Sequence, residues 1–223
     1  MLGVTSVAPP EPGAWMAGTK GMQTRRRIVE LAAPVFNRQG YVGASMRDLT
    51  GATGLEKGGI YNHFGSKEDL AVEAFDYSIS LIVDGYAAVQ EGKVGLDRLE
   101  AIIEIFGNWS GHPLVAGGCP IMNTAIEADD TNPALAARAR AAMDSWHRLI
   151  GSILKDAKAR GEVDGDVDPY ELATLVTSTL EGSLMLTRLF DDPAYKHRAV
   201  ASLAEHVESL RKSPRQRKGR AKR

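Results

Sequence analysis

The sequence predicts an all-α protein with about nine helices. Apolar residues recur at steps of three and four along almost every segment, which is the spacing that places them on one face of a helix. No segment alternates apolar and polar residues as a half-buried strand does. The 223 residues, 43% hydrophobic and 25% charged, are enough to bury a sizeable core, which argues against wholesale disorder.

The first predicted helix runs from Thr24 to Asn37, and Gln39-Gly40 supplies its stop. Pro34 interrupts this helix. Because the apolar stripe continues beyond the proline, we expect a bend there rather than a break.

Two short helices and one long helix follow. The Ser45 hydroxyl can cap the second helix, with a carboxylate three positions on, and Gly54 marks its end. A third short helix covers about residues 56–63. The fourth begins at Ser66, where a hydroxyl and first-turn carboxylates suit a helix N-terminus, and continues towards Val89.

Five further helices are predicted beyond residue 95. Four of them open with a proline, which the first turn tolerates because the missing N–H has no partner there. The predicted ranges are 96–109, 120–128, 133–161, 169–190 and 193–210.

The composition argues against several classes of protein. No apolar run approaches the roughly 18 residues that cross a membrane, and the first residues lack the order of a signal peptide, so we expect a cytoplasmic protein with no membrane partner. The single cysteine, Cys119, excludes an internal disulfide framework. The five histidines lack the paired spacing of a zinc site, and we expect neither metal nor cofactor.

The net charge of −1 conceals an uneven distribution. Residues 1–65 carry 7 Lys+Arg against 4 Asp+Glu, residues 66–210 carry 12 against 24, and residues 211–223 carry 8 against none. Only the two ends are therefore expected to attract a polyanion such as nucleic acid.

Residues 45–64 have the pattern of two helices joined by a tight turn. Polar and small residues occupy the outer side of the second helix. This is helix-turn-helix geometry, in which the second helix fits the major groove of DNA, roughly 12 Å wide. The apolar residues spaced to lock the two helices together are Met46, Leu49, Ala52, Leu55 and Ile60.

This segment and its flanks resemble the tetracycline-repressor (TetR/AcrR) family of bacterial transcriptional regulators. The resemblance covers about 55 residues and is strongest where GIYNHF at residues 59–64 leads into SKEDL at residues 66–70. It implies a homodimer that binds a palindromic operator in double-stranded DNA, usually as a repressor. It also implies release when a small-molecule effector, unknown here, occupies the C-terminal domain. A second pattern similar to part of the family comprises Gly117-Gly118-Cys119-Pro120, Asn123, Thr124, Glu127 and Ala128.

The outer side of the second short helix is expected to contact DNA. Lys57 can reach a guanine edge or a phosphate. The neighbouring Gly58 and Gly59 each cost a helix about 1 kcal/mol, which close approach of the backbone to bases would explain.

The resemblance adds phosphate contacts at Tyr61, His63 and Lys67. Thr24 and Ser45, at predicted helix N-termini, are further candidates, although capping alone would explain both. The full predicted set is Thr24, Ser45, Arg47, Lys57, Gly58, Gly59, Tyr61, Asn62, His63 and Lys67.

A recognition helix this short reads only a few base pairs, so two copies are needed. A symmetric dimer would hold the two helices roughly 34 Å apart, in successive major grooves. The helix at 169–190 is apolar nearly all round, which favours a seam between subunits over burial within one subunit. The predicted interface residues are Leu175, Leu180, Gly182, Leu186, Leu203 and Val207.

The central helices are expected to enclose the effector pocket, because large aromatic and thioether groups make adaptable apolar walls. Ordinary core packing is the alternative for each residue. The predicted ligand-binding residues are Trp109, Met122, Asn123, Trp146 and Met185.

Cys119 admits two interpretations. It lies just before Pro120 at a helix start, where the backbone dipole would stabilise a thiolate and favour a redox or electrophile sensor. The alternative is an unreactive, half-buried residue in a turn.

Two rival classes of function have less support. No phosphate-cradling glycine loop, nucleophile motif or metal-spaced His/Cys set supports an enzyme. Glu104, Glu127 and Glu181 could in principle hold a di-metal site, but the Glu-x-x-His pairs expected in helix bundles are missing. A helical protein-binding adaptor is the third option.

The predicted organisation has four parts. A disordered leader spans residues 1–19, the DNA-binding domain residues 20–66, and the effector-binding and dimerisation domain residues 67–210. The basic tail at residues 211–223 is either a solvated disordered extension or a non-specific DNA tether.

Overall fold

The computed structural model describes residues 20–108, 116–129 and 131–212, which form nine helices and no strand. The all-α prediction is confirmed. The helices are α1 (Lys20–Gly43), α2 (Met46–Thr53), α3 (Lys57–Tyr61), α4 (Lys67–Gln90), α5 (Leu96–Asn108), α6 (Pro120–Ala128), α7 (Pro133–Ala159), α8 (Pro169–Phe190) and α9 (Ala194–Ser209).

Helix α1 begins earlier than the sequence indicated and passes through Pro34. Its regular path ends at the predicted stop, where Gly40 has φ 77° and ψ 169°. Because α1 starts at Lys20, the prediction that Thr24 lies at the helix start is wrong. The Thr24 hydroxyl donates to the Lys20 carbonyl, 3.0 Å away, one turn back.

The turn between α2 and α3 is built as the sequence predicts. Ser45 and Asp48 form a reciprocal capping box at the start of α2, and Gly54 ends that helix with φ 69°. Helix α3 is shorter than the expected 56–63, because the chain turns after Tyr61 to bury Phe64.

The described residues form a small N-terminal core, a larger C-terminal core and a third cluster where α4, α6 and α7 meet. In the first, Ile28 of α1, Leu49 of α2 and Ile60 of α3 pack with Phe64 and with Leu70 of α4. Helix α4 therefore completes the N-terminal part built from α1 to α3, the head, and then continues into the C-terminal part, the body. The predicted boundary at residue 66 separates residues that share one core. The C-terminal core joins α4, α5, α7, α8 and α9.

The end of the described chain is held on the body rather than free. The Arg211 guanidinium donates to Asp97 at 2.6 Å and to Glu100 at 2.7 Å, and Lys212 pairs with Asp164 at 2.5 Å. Arg211 and Lys212, which the prediction assigned to the tail, are thus bound to the body. The rest of the tail and the predicted leader lie outside the described residues.

None of the helices in the described part of the chain is both long and apolar enough to span a bilayer.

Candidate DNA-binding surface and effector cleft

Helix α3 has one buried anchor and an open polar face. Ile60 is 1% exposed and fixes the helix on the head. Lys57, Tyr61 and Asn62 are exposed on the other side, and His63 is half-buried at its edge. Predicted contact residues of α3 are thus brought together on one accessible surface.

The two glycines of α3 have different surroundings. A Cβ added at Gly58 would meet nothing within 4 Å, so its backbone is open to an approaching molecule. A Cβ added at Gly59 would lie 3.5 Å from the Leu55 Cβ, in ordinary contact inside the turn. Close approach of the backbone to DNA was expected to explain both glycines. The surroundings agree with this explanation at Gly58 but not at Gly59.

Two lysines of the head lie over aromatic rings. The Lys57 Nζ is 5.8 Å from the centroid of the Tyr61 ring, and the Lys67 Nζ is 4.6 Å from that of Tyr41. Burial, then the nearby Glu68, raises the pKa of Tyr41, so its hydroxyl stays protonated at neutral pH. These rings hold two cations beside α3, the kind of charge that phosphates attract.

Arg25 is occupied in joining α1 to α4. Its guanidinium pairs with Glu73 and lies 4.1 Å from the centroid of the Phe64 ring. Arg47, in contrast, is exposed on α2. The Arg25 charge is therefore neutralised by Glu73, whereas Arg47 and Lys57 leave positive charge exposed around α2 and α3.

A hydrogen-bonded joint connects α1 of the head to the start of α6. The Asn37 side-chain amide donates to the carbonyls of Ala116 at 3.1 Å and Gly118 at 2.9 Å. The Asn123 amide donates to both oxygens of Asn37, each at 3.1 Å, and to the Gly117 carbonyl at 3.0 Å. Asn123 was predicted to bind ligand; the structure instead places it in this joint.

Glu127 of α6 completes the joint where α1 breaks. Its two carboxylate oxygens accept from the backbone N–H groups of Tyr41 and Val42, both at 2.8 Å. A Cβ at Gly40 would lie 2.5 Å from the Glu127 carboxylate, and one at Gly117 would lie 2.5 Å from the Asn37 carbonyl oxygen. Both glycines also have positive φ, so any larger residue would disrupt the joint.

A cleft runs along α4, α7 and α8 and reaches the start of α6. Its volume of about 3330 Å³ far exceeds the 300–1,000 Å³ typical of a small-ligand pocket. We therefore take its inner end, beneath the first turn of α6, as the candidate effector site. The side chains lining that end include Tyr86, Cys119, Trp146, Thr177, Glu181 and Thr187.

Trp146 is where the sequence predicted it, on the wall of the cleft. Its indole N–H donates to the Thr177 hydroxyl at 2.8 Å, and its ring centroid is 5.1 Å from that of Tyr86. Two other predicted ligand-binding residues lie elsewhere. Met122 does not line this cleft, and Met185 is 51% exposed on the outside of α8. Trp109 lies outside the described residues.

Three polar residues, Cys119, Glu181 and Thr187, line the cleft. Burial, then the nearby Glu181 carboxylate, raises the pKa of the Cys119 thiol. Of the two interpretations of Cys119, burial favours the unreactive residue over a thiolate stabilised by the helix dipole. Burial also raises the pKa of Glu181. The Glu181 Oε2 and the Thr187 hydroxyl are buried atoms with no hydrogen-bond partner in the described part of the chain.

The predicted interface residues separate into two groups. Leu175 is 40% exposed, Leu186 is half-buried, and a Cβ added at Gly182 would meet nothing within 4 Å, so these three can face a second subunit. The prediction is wrong for the others, because they are at most 2% exposed in the core of their own subunit. Those residues are Leu180, Leu203 and Val207.

The carboxylates considered for a di-metal site are dispersed. Glu127 belongs to the joint and Glu181 to the cleft, while Glu104 is exposed on α5. Among the described residues no three His, Cys, Asp or Glu side chains form a group that could hold a metal ion.

Comparisons with known proteins agree with this architecture. Residues 28–74 match the family model for bacterial regulatory proteins of the tetR family, and residues 95–203 match the tetracyclin repressor-like C-terminal domain.

Relatives cover most of the chain. An uncharacterized HTH-type transcriptional regulator of Mycobacterium tuberculosis is 30% identical over 177 residues, 75% of this chain and 86% of the relative. The HTH-type transcriptional repressor DhaR of Mycobacterium sp. strain GP1 is 24% identical over 171 residues, 74% of this chain and 82% of that protein.

A crystal structure of a TetR transcriptional regulator from Chloroflexus aurantiacus has a TM-score of 0.82 and 42% identity. The match covers 86% of this chain and 98% of that one. Head and body are thus both matched, by proteins that are regulators and not enzymes. The chain belongs to the TetR family of DNA-binding transcriptional regulators.

Proposed function

We propose that this regulator is a homodimeric repressor that binds a palindromic operator through α3 and releases it when a small molecule occupies the cleft. The observation that carries the proposal is the open polar face of α3, held on a buried anchor. The protein would act in the cytoplasm, on the nucleoid.

The proposed DNA contacts divide by chemistry. Lys57 and Asn62 face outward where base edges lie in a major groove, and Gly58 lets the backbone come close. Tyr61 and Lys67 are suited to phosphates, because a phenol and an ammonium both donate without needing a particular base. Specificity then depends on two half-sites, since one such face reads few base pairs.

A stripe along α8 supports a dimer. Leu175, Met185 and Leu189 are 40%, 51% and 70% exposed, and the open Gly182 lies between them. Steps of three and four place these residues on one face, opposite the wall of the cleft. Apolar surface of this extent is best covered by the same stripe of a second copy around a two-fold axis.

Release requires a connection between the cleft and the head, and the joint supplies one. Cys119 and Pro120 line the cleft, while Asn123 and Glu127 on the same short helix bind the end of α1. A ligand that displaces α6 would therefore displace α1 and the head. The shift is limited by how much better the ligand binds the released state.

Repression is the sign of regulation that we favour. DhaR, which shares 24% of aligned residues, is named a repressor. A promoter fusion tests the sign directly: deleting the regulator should raise transcription, whereas a fall would identify an activator.

The experiment for DNA binding is a gel shift with the intergenic DNA beside the regulator's own gene. Wild-type dimer should shift the fragment, and Lys57→Ala or Tyr61→Ala should weaken binding about 10- to 100-fold, as expected for loss of one well-formed contact. Lys155→Ala is the matched control, because Lys155 is an exposed lysine on α7 of the body. A dimer that shifts no promoter DNA at low salt would favour the adaptor, and equal loss in all three variants would contradict a role for α3.

A further inference from the structure

The inner end of the cleft holds a carboxylate whose partners are incomplete. Glu181 lies near the Cys119 thiol on the cleft wall, and its Oε2 is buried without a hydrogen-bond partner among the described residues. No described salt bridge includes Glu181. A buried carboxylate lacking a cation is costly, so this position is set up to receive hydrogen-bond donors or positive charge.

Two basic side chains of the cleft wall could in principle pair with Glu181. Arg138 pairs with Asp76 at 3.4 Å. Arg188 is two turns further along α8, about 10 Å from Glu181 along the axis, and its guanidinium lies against Gly118, next to Cys119. The described residues contain no salt bridge between Arg188 and Glu181.

Aromatic rings flank the carboxylate. Thr177 is one turn before Glu181 on α8 and accepts the Trp146 indole N–H, which fixes that ring beside the carboxylate. Tyr86 lies 5.1 Å from Trp146, centroid to centroid. Burial, then Cys119 and Glu181, raises the pKa of Tyr86, so the phenol stays neutral on the same cleft wall as these two residues. Ring faces next to a carboxylate attract cations.

We propose that the inner end of the cleft binds an organic cation with an apolar body. The Glu181 carboxylate meets the positive charge, and the Tyr86 and Trp146 rings contact the apolar part. The Thr187 hydroxyl is a further unpartnered group for a polar substituent. This assignment rests on the proposed effector site and names its ligand class.

Two ions of the same shape and opposite charge, tetraphenylphosphonium and tetraphenylborate, test the assignment. Calorimetric titration of each into the DNA-free, full-length protein measures binding without the operator. The wild type should bind the phosphonium ion about tenfold more tightly than the borate, and Glu181→Gln should lose about tenfold for the phosphonium only. Glu104→Gln, an exposed position on α5 with the same charge change, should behave as the wild type.

Three results would overturn the assignment: no binding of the phosphonium ion, equal or tighter binding of the borate, or full phosphonium affinity in Glu181→Gln. The last would indicate a neutral ligand, and tighter borate binding would indicate an anion held by Arg188. Melting curves of the nearly isosteric glutamine variant confirm that it folds. Because the titration uses no DNA, its failure is separate from failure of the gel shift.

Discussion

The head and the cleft show opposite ways of building a recognition surface. In the head, the proposed contacts at Lys57, Gly58, Tyr61 and Asn62 are neighbours in sequence and point outward. In the cleft, the wall combines α4, α6, α7 and α8, and its polar groups point inward among apolar side chains. Recognition by the exposed face of one short helix depends on charge in contact with solvent. Recognition by a cleft between four helices depends on groups that are shielded from solvent.

That difference governs how substitutions should act. A change on the head surface removes a contact with DNA and leaves the fold intact. A change in the cleft or the joint alters burial, and so alters stability as well as binding. The two regions meet through α4, through the joint between α1 and α6, and through Phe36 and Tyr41 of α1, which pack against buried residues of α4, α6 and α7.

The largest expected effect on DNA binding comes from separating the two subunits of the proposed dimer. Gly182→Arg places a charged side chain in the exposed stripe of α8, where two subunits would meet, and should give a monomer. Operator affinity should then fall on the order of 1,000-fold, towards non-specific binding. Light scattering and gel shifts measure both quantities.

The control for that variant is Ser152→Arg, the same type of added charge at an exposed position of α7. It should remain dimeric and bind as the wild type. A dimeric Gly182→Arg protein would show that the subunits associate elsewhere.

The next effect concerns the joint. Asn123→Leu removes the amide that serves both oxygens of Asn37 and the Gly117 carbonyl, and should cost about 2 kcal/mol of unfolding free energy. Urea titration measures it. Ile126→Ala, on the same helix and 75% exposed, should change stability by less than about 0.5 kcal/mol. Equal losses of unfolding free energy in the two variants would show that the joint does not stabilise the fold.

A smaller effect distinguishes the desolvated cleft from the solvated head. The pKa of Glu181 is raised by burial in the folded protein, so ionisation destabilises the fold as pH rises above the ordinary glutamate value of about 4.3. Glu181→Gln should therefore stabilise the protein by on the order of 1 kcal/mol at pH 8, and by less at pH 4.5. Urea titrations at the two pH values measure how this gain in stability changes with pH. If the Glu181 carboxylate were solvated, the gain would not depend on pH in this way.

The smallest effect concerns the basic segment at residues 213–223. The chain reaches it from Arg211, which is bound to the start of α5, at the end of the body remote from the head. Helix α4 alone separates the two ends by about 36 Å, and eleven residues reach about 40 Å only when fully extended, so at most the last few of them could reach DNA bound by the head. Removing residues 213–223 should leave operator affinity within about twofold. A clearly shallower dependence on salt in the truncated protein would instead support DNA tethering.

The sequence predicted the fold and the head because their signals are local. The capping box at Ser45, the turn at Gly54 and the anchor at Ile60 are each read within a few residues, and the structure contains all three. The exposed α3 residues follow from the same periodicity.

The cleft was predicted poorly because burial there depends on helices far apart in sequence. Large side chains such as Met122 and Met185 suggested a pocket wall, but neither lines the cleft. Glu181 was considered only for a metal, because nothing local shows that its carboxylate is buried beside a thiol and two rings. For Cys119, position at a helix start was outweighed by burial.

The joint could have been recognised in part. The Gly117-Gly118 pair and the spaced Asn123 and Glu127 were noted as a pattern, but their partners at Asn37 and Tyr41 are about 80 residues away. Only the fold brings them together.

Hydroxyl-radical footprinting of the promoter fragment bound by the wild-type protein tests most directly whether two copies of α3 read one operator. We predict two protected patches related by two-fold symmetry, centred about 10 base pairs or a small multiple apart on one face of the duplex, and lost with Lys57→Ala. A single unsymmetric patch, or protection that Lys57→Ala leaves unchanged, would contradict the account.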